Sequence, residues 1–276
     1  MKILVFMGGL GNQIFEYAFL ETYVRRKFLK HKIYGVYNKK KLSEHYGLEI
    51  NKWFNVNMPP RSWWIDILTA LLYFYKKIQP NTPLLDLDQR DCVHENALLF
   101  YPIKFNKRFI PNTSDWLKWN INEQNLSFLN KKTLEDIRSS YSVFIHVRRG
   151  DYLSSQYKSL FEGCCTLDYY KQAIAYAHSR NPNLRFFCFS DDIQWAKQNL
   201  ALNEYSIYID WNVGEDSPLD MFLMTQCKAA IIANSTFSYW GARLGVSKDF
   251  ICYPKRWMNT PISIVDDIIP NDWIGF

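Results

Sequence analysis

The sequence predicts an α/β protein whose C-terminal half is a parallel, doubly wound sheet. Three observations carry this. From Val143 onward, short apolar runs alternate with helical patterns, and that alternation implies right-handed parallel crossovers. The chain opens on a strand, a glycine loop and a helix, with Ile3–Met7 leading into Gly8-Gly9-Leu10-Gly11-Asn12-Gln13. The run Ser142-Val143-Phe144-Ile145-His146-Val147 ends in Arg148-Arg149-Gly150-Asp151-Tyr152. Charge there meets the edge at which open α/β sheets bind ligands.

A length of 276 residues suits one large domain or two small ones, and 48% hydrophobic with 22% charged residues leaves ample core. Aromatic residues reach 17%; such rings stack on sugars or lie at membrane interfaces, but many must be core. The net charge of +6 suits an anionic ligand or an acidic membrane surface and is too weak for nucleic acid. None of the six cysteines forms Cys-x-x-Cys, and Cys188, Cys227 and Cys252 sit in apolar runs. They read as buried thiols in a reducing compartment; the Cys164-Cys165 pair has no assigned role. The apolar start stops at Gly8, too early for a secretory core. No run of roughly 18 apolar residues occurs, so no membrane span is expected.

In chain order, Ile3–Met7 is a first parallel strand, followed by a helix from Ile14 to near Lys30. Bare glycine backbone lets a ligand approach the helix amino end. Gly9-x-Gly11-x-x-Ile14 lacks the third glycine of a dinucleotide fingerprint, and no P-loop is present; turn glycines without a ligand are the alternative. A short strand is expected near Ile33–Tyr37. After the Pro59-Pro60 break, Trp63–Lys77 is apolar on nearly every face and too short to span a bilayer. It reads as a buried core helix. Its terminal aromatics and Lys76-Lys77 allow an interfacial helix instead. Pro80–Pro83 is a linker. Asp86-Leu87-Asp88 is an Asp-x-Asp, a pattern that holds divalent metal in sugar-nucleotide enzymes, or a chance triplet. A strand at Ala97–Tyr101 and a helix at Lys131–Ser139 close a first domain, 1–138.

The second domain, 139–256, carries the regular alternation. Thr166 caps a helix containing Leu167, Tyr170, Ile174 and Ala177. Leu184–Phe189 is a strand, and Ser190 is expected to cap a helix through Asn199. Tyr205–Ile209, Ala229–Ala233 and Phe250–Tyr253 are strands. Ser217-Pro218 opens a helix to Lys228, and Asn234-Ser235-Thr236 leads into a helix over Phe237–Leu244. This half is Rossmann-like. The tail, 257–276, is expected to pack back on the first domain.

In such a sheet three loops converge on one edge: His146–Asp151, Ser190–Asp192 and Asn234–Ser238. Arg148 and Arg149 offer bidentate charge to phosphate. Ser235, Thr236 and Ser238 put hydroxyls and backbone N–H groups at a helix amino end, a second anion site. Asp191 or Asp192 can accept two N–H bonds, as guanine offers. Each loop also has a plain reading of capping serines, a capping aspartate and solvated arginines. Together they predict a nucleotide diphosphate site.

Four motifs in this order resemble the bacterial α-1,2-fucosyltransferases of glycosyltransferase family 11. They are Gly8-Gly9-Leu10-Gly11-Asn12-Gln13-Ile14-Phe15, His146-Val147-Arg148-Arg149-Gly150-Asp151-Tyr152, Phe189-Ser190-Asp191-Asp192 with Trp195, and Asn234-Ser235-Thr236-Phe237-Ser238-Tyr239-Trp240-Gly241. Tyr239 departs from the Trp of many members. The resemblance covers nearly the whole chain. It implies a GT-B-like fold of two Rossmann-like domains facing a cleft, and metal-independent, inverting transfer from GDP-β-L-fucose to a galactose 2-hydroxyl.

By position, the resemblance puts Arg148 on the β-phosphate and glycosidic oxygen, with Arg149 in support and His146 on ribose or phosphate. One of Asp191 and Asp192 reads guanine. Ser235, Thr236, Phe237 and Ser238 bind the donor, as do Gly9, Gly11 and Gln13. Asn12 reaches the fucose or β-phosphate, and Asp151 is the nearest candidate base. The expected partners are GDP-fucose and a galactose-terminated or lipid-linked glycan, without nucleic acid. Cytoplasmic placement is expected, and Trp63–Lys77 with the positive net charge allows peripheral contact with an anionic inner membrane face. No cofactor or metal is implied. The rival readings are a metal-dependent sugar transferase using Asp86 and Asp88, and a non-catalytic carbohydrate binder. An adhesion role for Arg149-Gly150-Asp151 needs a secreted, exposed loop.

Overall fold

The computed structural model describes residues 1–37, 46–86, 93–100, 106–113, 115–260 and 265–276. The chain divides into two compact units, 1–120 and 121–276, each built on a parallel sheet.

The first unit has β1 (Lys2–Phe6), β2 (Ile33–Tyr37), β3 (Leu85–Asp86) and β4 (Leu99–Phe100), in the order β2-β1-β4-β3. All five residues of β1 are buried, as an inner parallel strand demands. Helix α1 (Leu10–Phe19) starts earlier than its apolar pattern suggests, because the Gly9 carbonyl already accepts from the Asn12 and Gln13 amides. It continues through one π-helical turn, Leu20–Val24, to Arg25–Lys27. Thr22 Oγ1 lies 2.8 Å from both the Ala18 and Phe109 carbonyl oxygens in that widened turn.

Helix α2 (Trp63–Ile78) forms where expected, but it is not a buried core helix. Only Ile65, Thr69 and Leu72 are buried; Ile65 and Leu72 join Ile3, Val5, Leu85 and Leu99 in the core. Trp63, Leu71 and Phe74 are 75%, 60% and 64% exposed. A helix lying on one face of a small sheet buries one stripe, however apolar its other faces are. Of the Asp-x-Asp pair, Asp86 is buried and its Oδ2 accepts from the His94 amide at 3.0 Å. Asp88 and Cys92 lie outside the described residues, as does Tyr101 of the expected strand.

The second unit has β5 (Tyr141–Val147), β6 (Leu184–Ser190), β7 (Ile207–Ile209), β8 (Ala229–Ile231), β9 (Ile251–Tyr253) and β10 (Ile274–Gly275). Their order is β10-β9-β8-β5-β6-β7. Strands are added outward from β5 in one direction, and then from β8 in the other, the doubly wound arrangement with its switch point at β5/β8. The longer helices among its described residues are α3 (Phe128–Ser139), α4 (Leu167–Arg180), α5 (Ile193–Asn199), α6 (Pro218–Gln226) and α7 (Thr236–Arg243). Val143, Ile145, Phe186, Cys188, Ala229 and Ile231 from the strands pack with Tyr170, Ile174 and Ala177 of α4.

Three expectations change here. The division falls after Asn120, not after residue 138, because α3 belongs to the second unit. Asn130 and Asn212 exchange amide hydrogen bonds of 2.8 and 3.0 Å, and Arg138 donates to Gln226 at 3.0 Å. The tail does not join the first unit. Ile274 and Gly275 pair with Cys252 and Tyr253, Trp273 packs 5.1 Å from Tyr239, and the Tyr239 hydroxyl donates to the Ile268 carbonyl. Helix α5 is capped by Asp192, whose Oδ1 accepts from the Trp195 amide at 3.1 Å. Ser190 instead accepts from the Asp192 amide at 2.9 Å. Thr166 caps as expected, and Ser235 takes the capping role that its loop's plain reading allowed.

Candidate active site at the carboxyl edge of the second sheet

Register brings the loops together. His146 lies opposite Phe189 and Val147 opposite Ser190, while Ile145 lies opposite Ile231. The three chains therefore leave the sheet at nearly one level. Arg148 and Arg149 emerge beside Asp191 and Asp192 on one flank, with Asn234 to Phe237 on the other.

The arginines are held, not loose. Arg148 donates from Nη2 to Asp151 Oδ2 at 2.9 Å, and its Nε lies 3.3 Å from Asp191 Oδ2. Burial works against its charge, and the Asp191 and Asp151 carboxylates outweigh it, raising its pKa above the ordinary value. Arg149 donates from its amide to Asp191 Oδ1 at 2.8 Å and from Nε to Asp192 Oδ2 at 3.1 Å. Its guanidinium stacks 4.2 Å from the Trp195 ring centre. Both side chains keep an accessible face, 31% and 29% exposed. The edge thus presents two oriented guanidinium groups fixed by three carboxylates, a preorganised anion site.

His146 is buried, its Nδ1 has no partner among the described residues, and its ring lies 5.9 Å from that of Phe237. Burial, and then the Arg148 charge, lower its pKa to about 3, so the imidazole is neutral. Of the serine-rich loop, Thr236 and Phe237 are partly open. Ser235 spends its Oγ as a cap, accepting from the Phe237 amide at 3.3 Å. Ser238 is fully buried and lies 3.4 Å from the Ala233 and Ser235 carbonyls. It supports the helix start from inside.

The sequence reading missed the braces behind this edge. Tyr152 donates to the Asn234 carbonyl at 3.0 Å and stacks on Phe161 at 4.0 Å, tying the arginine loop to the serine loop. Cys165 Sγ donates to Asn234 Oδ1 at 3.2 Å and accepts from the Asn234 amide at 3.3 Å. Burial raises that thiol to about 12, which makes it an inert support. From α4, Tyr170 donates to the His146 carbonyl and Tyr169 to the Ile232 carbonyl. The spacing of these residues shows helix faces, not carbonyl targets on other strands.

In the first unit, Gly8 has φ +72, and an added Cβ would lie 2.4 Å from Asn12 Nδ2; a side chain there meets both backbone strain and a clash. Gly9 caps α1 and Gly11 is buried within it. Gln13 is turned inward. Its amide donates to the Gly8 and Gly47 carbonyls and accepts from the Glu49 and Ile50 amides. With both donors and its acceptor engaged, Gln13 is satisfied within the first unit and holds the loop in place. Glu16, also unforeseen, is buried, and both its oxygens face the Met7 amide at 3.0 and 3.2 Å. Burial pushes its carboxyl well above the usual range.

Fold and edge together are a doubly wound α/β sheet that presents oriented cations at its switch point. Residues 89–276 match the family model for glycosyl transferase family 11, and the chain belongs to that family of glycosyltransferases. It is 29% identical over 280 residues to an alpha-1,2-colitosyltransferase of Escherichia coli, covering 97% of this chain and 96% of that one. It is 38% identical over 144 residues to the O-antigen biosynthesis glycosyltransferase WbnK of Escherichia coli, covering 50% and 47%. Among solved structures, the fucosyltransferase NodZ from Bradyrhizobium superposes with a TM-score of 0.52 at 14% identity, covering 88% of this chain and 92% of that one. The fold is GT-B-like, with parallel sheets in both units.

Proposed function

We propose that this chain moves L-fucose from GDP-β-L-fucose to the 2-hydroxyl of a galactose-type acceptor, with inversion, during synthesis of a surface glycan. The observation that carries the reading is Arg148, fixed by Asp151 and Asp191 at the sheet's switch point with an open face. Family membership and the α-1,2 linkage in the name of the full-length relative support it. As the bond between the anomeric carbon and the β-phosphate breaks, negative charge grows on the leaving diphosphate. A guanidinium aimed there stabilises the transition state more than the ground state. Arg149 and the α7 amino end share the diphosphate charge. No metal is needed for this, because the arginines supply the positive charge. Asp151, whose Oδ2 already binds Arg148, serves as its positioner and not as the base.

A second reading has a specific observation behind it. The relative that spans the whole chain carries colitose in its name, and colitose is the 3-deoxy form of L-fucose. GDP-fucose and GDP-colitose offered separately with a panel of galactosides, with product linkage read by NMR and turnover repeated in EDTA, test both. An α-1,2 fucoside formed equally in EDTA is the expected result. Preference for the deoxy donor replaces it with the second reading, and loss of activity in EDTA restores the metal-dependent one.

A further inference from the structure

The outer face of α2 has no role in the chemistry above. Trp63, Ile67, Leu71, Phe74 and Ile78 are all more than half exposed. At about 100° per residue they fall within an arc of about 80°. Trp64 and Tyr75, 38% and 44% exposed, extend that stripe along one flank. The buried residues Ile65, Thr69 and Leu72 lie on the opposite side, against the sheet. An apolar stripe of this size outside the core marks an interaction surface.

We infer that α2 docks this protein on an anionic phospholipid surface, lying flat in the headgroup region. Aromatic residues stand at both ends of the stripe, where a helix in the interface places them. Lys76 and Lys77 occupy the last turn, and Lys77 is exposed beside the stripe. The one acidic residue of the helix, Asp66, is already engaged by Arg61 at 2.6 Å. Among the described residues the stripe is therefore flanked by the unpaired positive charge of Lys77, which suits lipid phosphates, and has no free carboxylate for the lysines of a second copy. Sixteen residues span about 24 Å, too short to cross a bilayer but long enough to lie along one. Among the described residues no helix is long and apolar enough to cross a membrane.

Co-sedimentation of the full chain with phosphatidylglycerol/phosphatidylcholine vesicles, and with pure phosphatidylcholine vesicles, tests this independently of any donor or acceptor. The parent should pellet with the anionic vesicles. Ile67→Glu/Phe74→Glu should lower the partition coefficient by about 10-fold or more, and Lys77→Gln by about fivefold. Circular dichroism matching the parent shows that the variants fold, since these side chains are exposed. The inference is overturned if the parent stays in the supernatant with anionic vesicles, or if the double variant pellets like the parent. It is equally overturned if light scattering shows a dimer that the double variant dissolves, which makes a second copy the occupant.

Discussion

Arg148 is the residue on which the proposed chemistry turns, and its neighbours say how it should behave when changed. Charge-assisted bonds contribute about 1.5–3 kcal/mol each, and preorganised donors to a developing anion often more. Arg148→Ala should lower kcat by roughly 100-fold or more, and Arg148→Lys should recover little because the fork geometry is lost. Near-normal turnover in Arg148→Ala would remove the assignment. Asp151→Asn keeps a hydrogen bond acceptor for Arg148 and should retain most of kcat. A loss as large as that of Arg148→Ala would return Asp151 to the role of base.

His146 makes a prediction on stability. Its pKa is lowered from 6.5 to about 3 by burial and then by Arg148. The unfolded chain takes up a proton below its ordinary pKa that the folded protein refuses. Its contribution to stability is complete above pH 6.5 and is lost as pH falls toward 3, by about 1.4 kcal/mol per unit. Urea unfolding between these limits should show the parent losing stability more steeply than His146→Gln, by one proton's worth of slope. Equal slopes would mean that His146 is protonated in the fold.

At the scale of elements, the edge depends on how closely α6 and α7 approach. Gly241 sits in α7, and an added Cβ would lie 2.8 Å from Met224 Cβ and Sδ. Ala in place of Gly favours a helix by up to about 1 kcal/mol, while overpacking costs about 1–3 kcal/mol. Gly241→Ala should therefore be destabilising on balance, with a lower urea midpoint; an unchanged or higher midpoint would show that Met224 yields. The same scale explains what could be read in advance. The strands and most caps were legible because apolar runs, Thr166, Ser235 and Pro218 act locally. The exposure of α2 was not, because hydropathy tells how apolar a face is and not whether anything covers it. Nor was the choice of Asp192 over Ser190 as cap, which follows from where β6 stops.

At the scale of the molecule, each unit has its own core and sheet. The arginines, aspartates and serines of the candidate site lie wholly in residues 121–276. GDP should stabilise that unit by about 2.7 kcal/mol at one hundred times its Kd. Hydrogen exchange should place the added protection on β5, β6 and the start of α7. Protection confined to residues 1–120 would move the donor site.

From the sequence alone came the parallel α/β class, the family, and the three loops that meet at one edge, because each depends on local pattern and strand polarity. Tertiary structure alone divided the labour within those loops. Gln13 and Ser238 carry the same chemical groups as a ligand-binding residue, but the distant Gly47, Glu49 and Ile50 turn Gln13 inward, and the nearby Ala233 and Ser235 carbonyls turn Ser238 inward. Tyr152, Cys165 and Tyr170 look like packing residues, yet they end on carbonyl and amide groups that hold the edge in place. A side chain's chemistry is written in its own position; what satisfies it is decided by the fold, which brings up partners from 3 to 82 positions away.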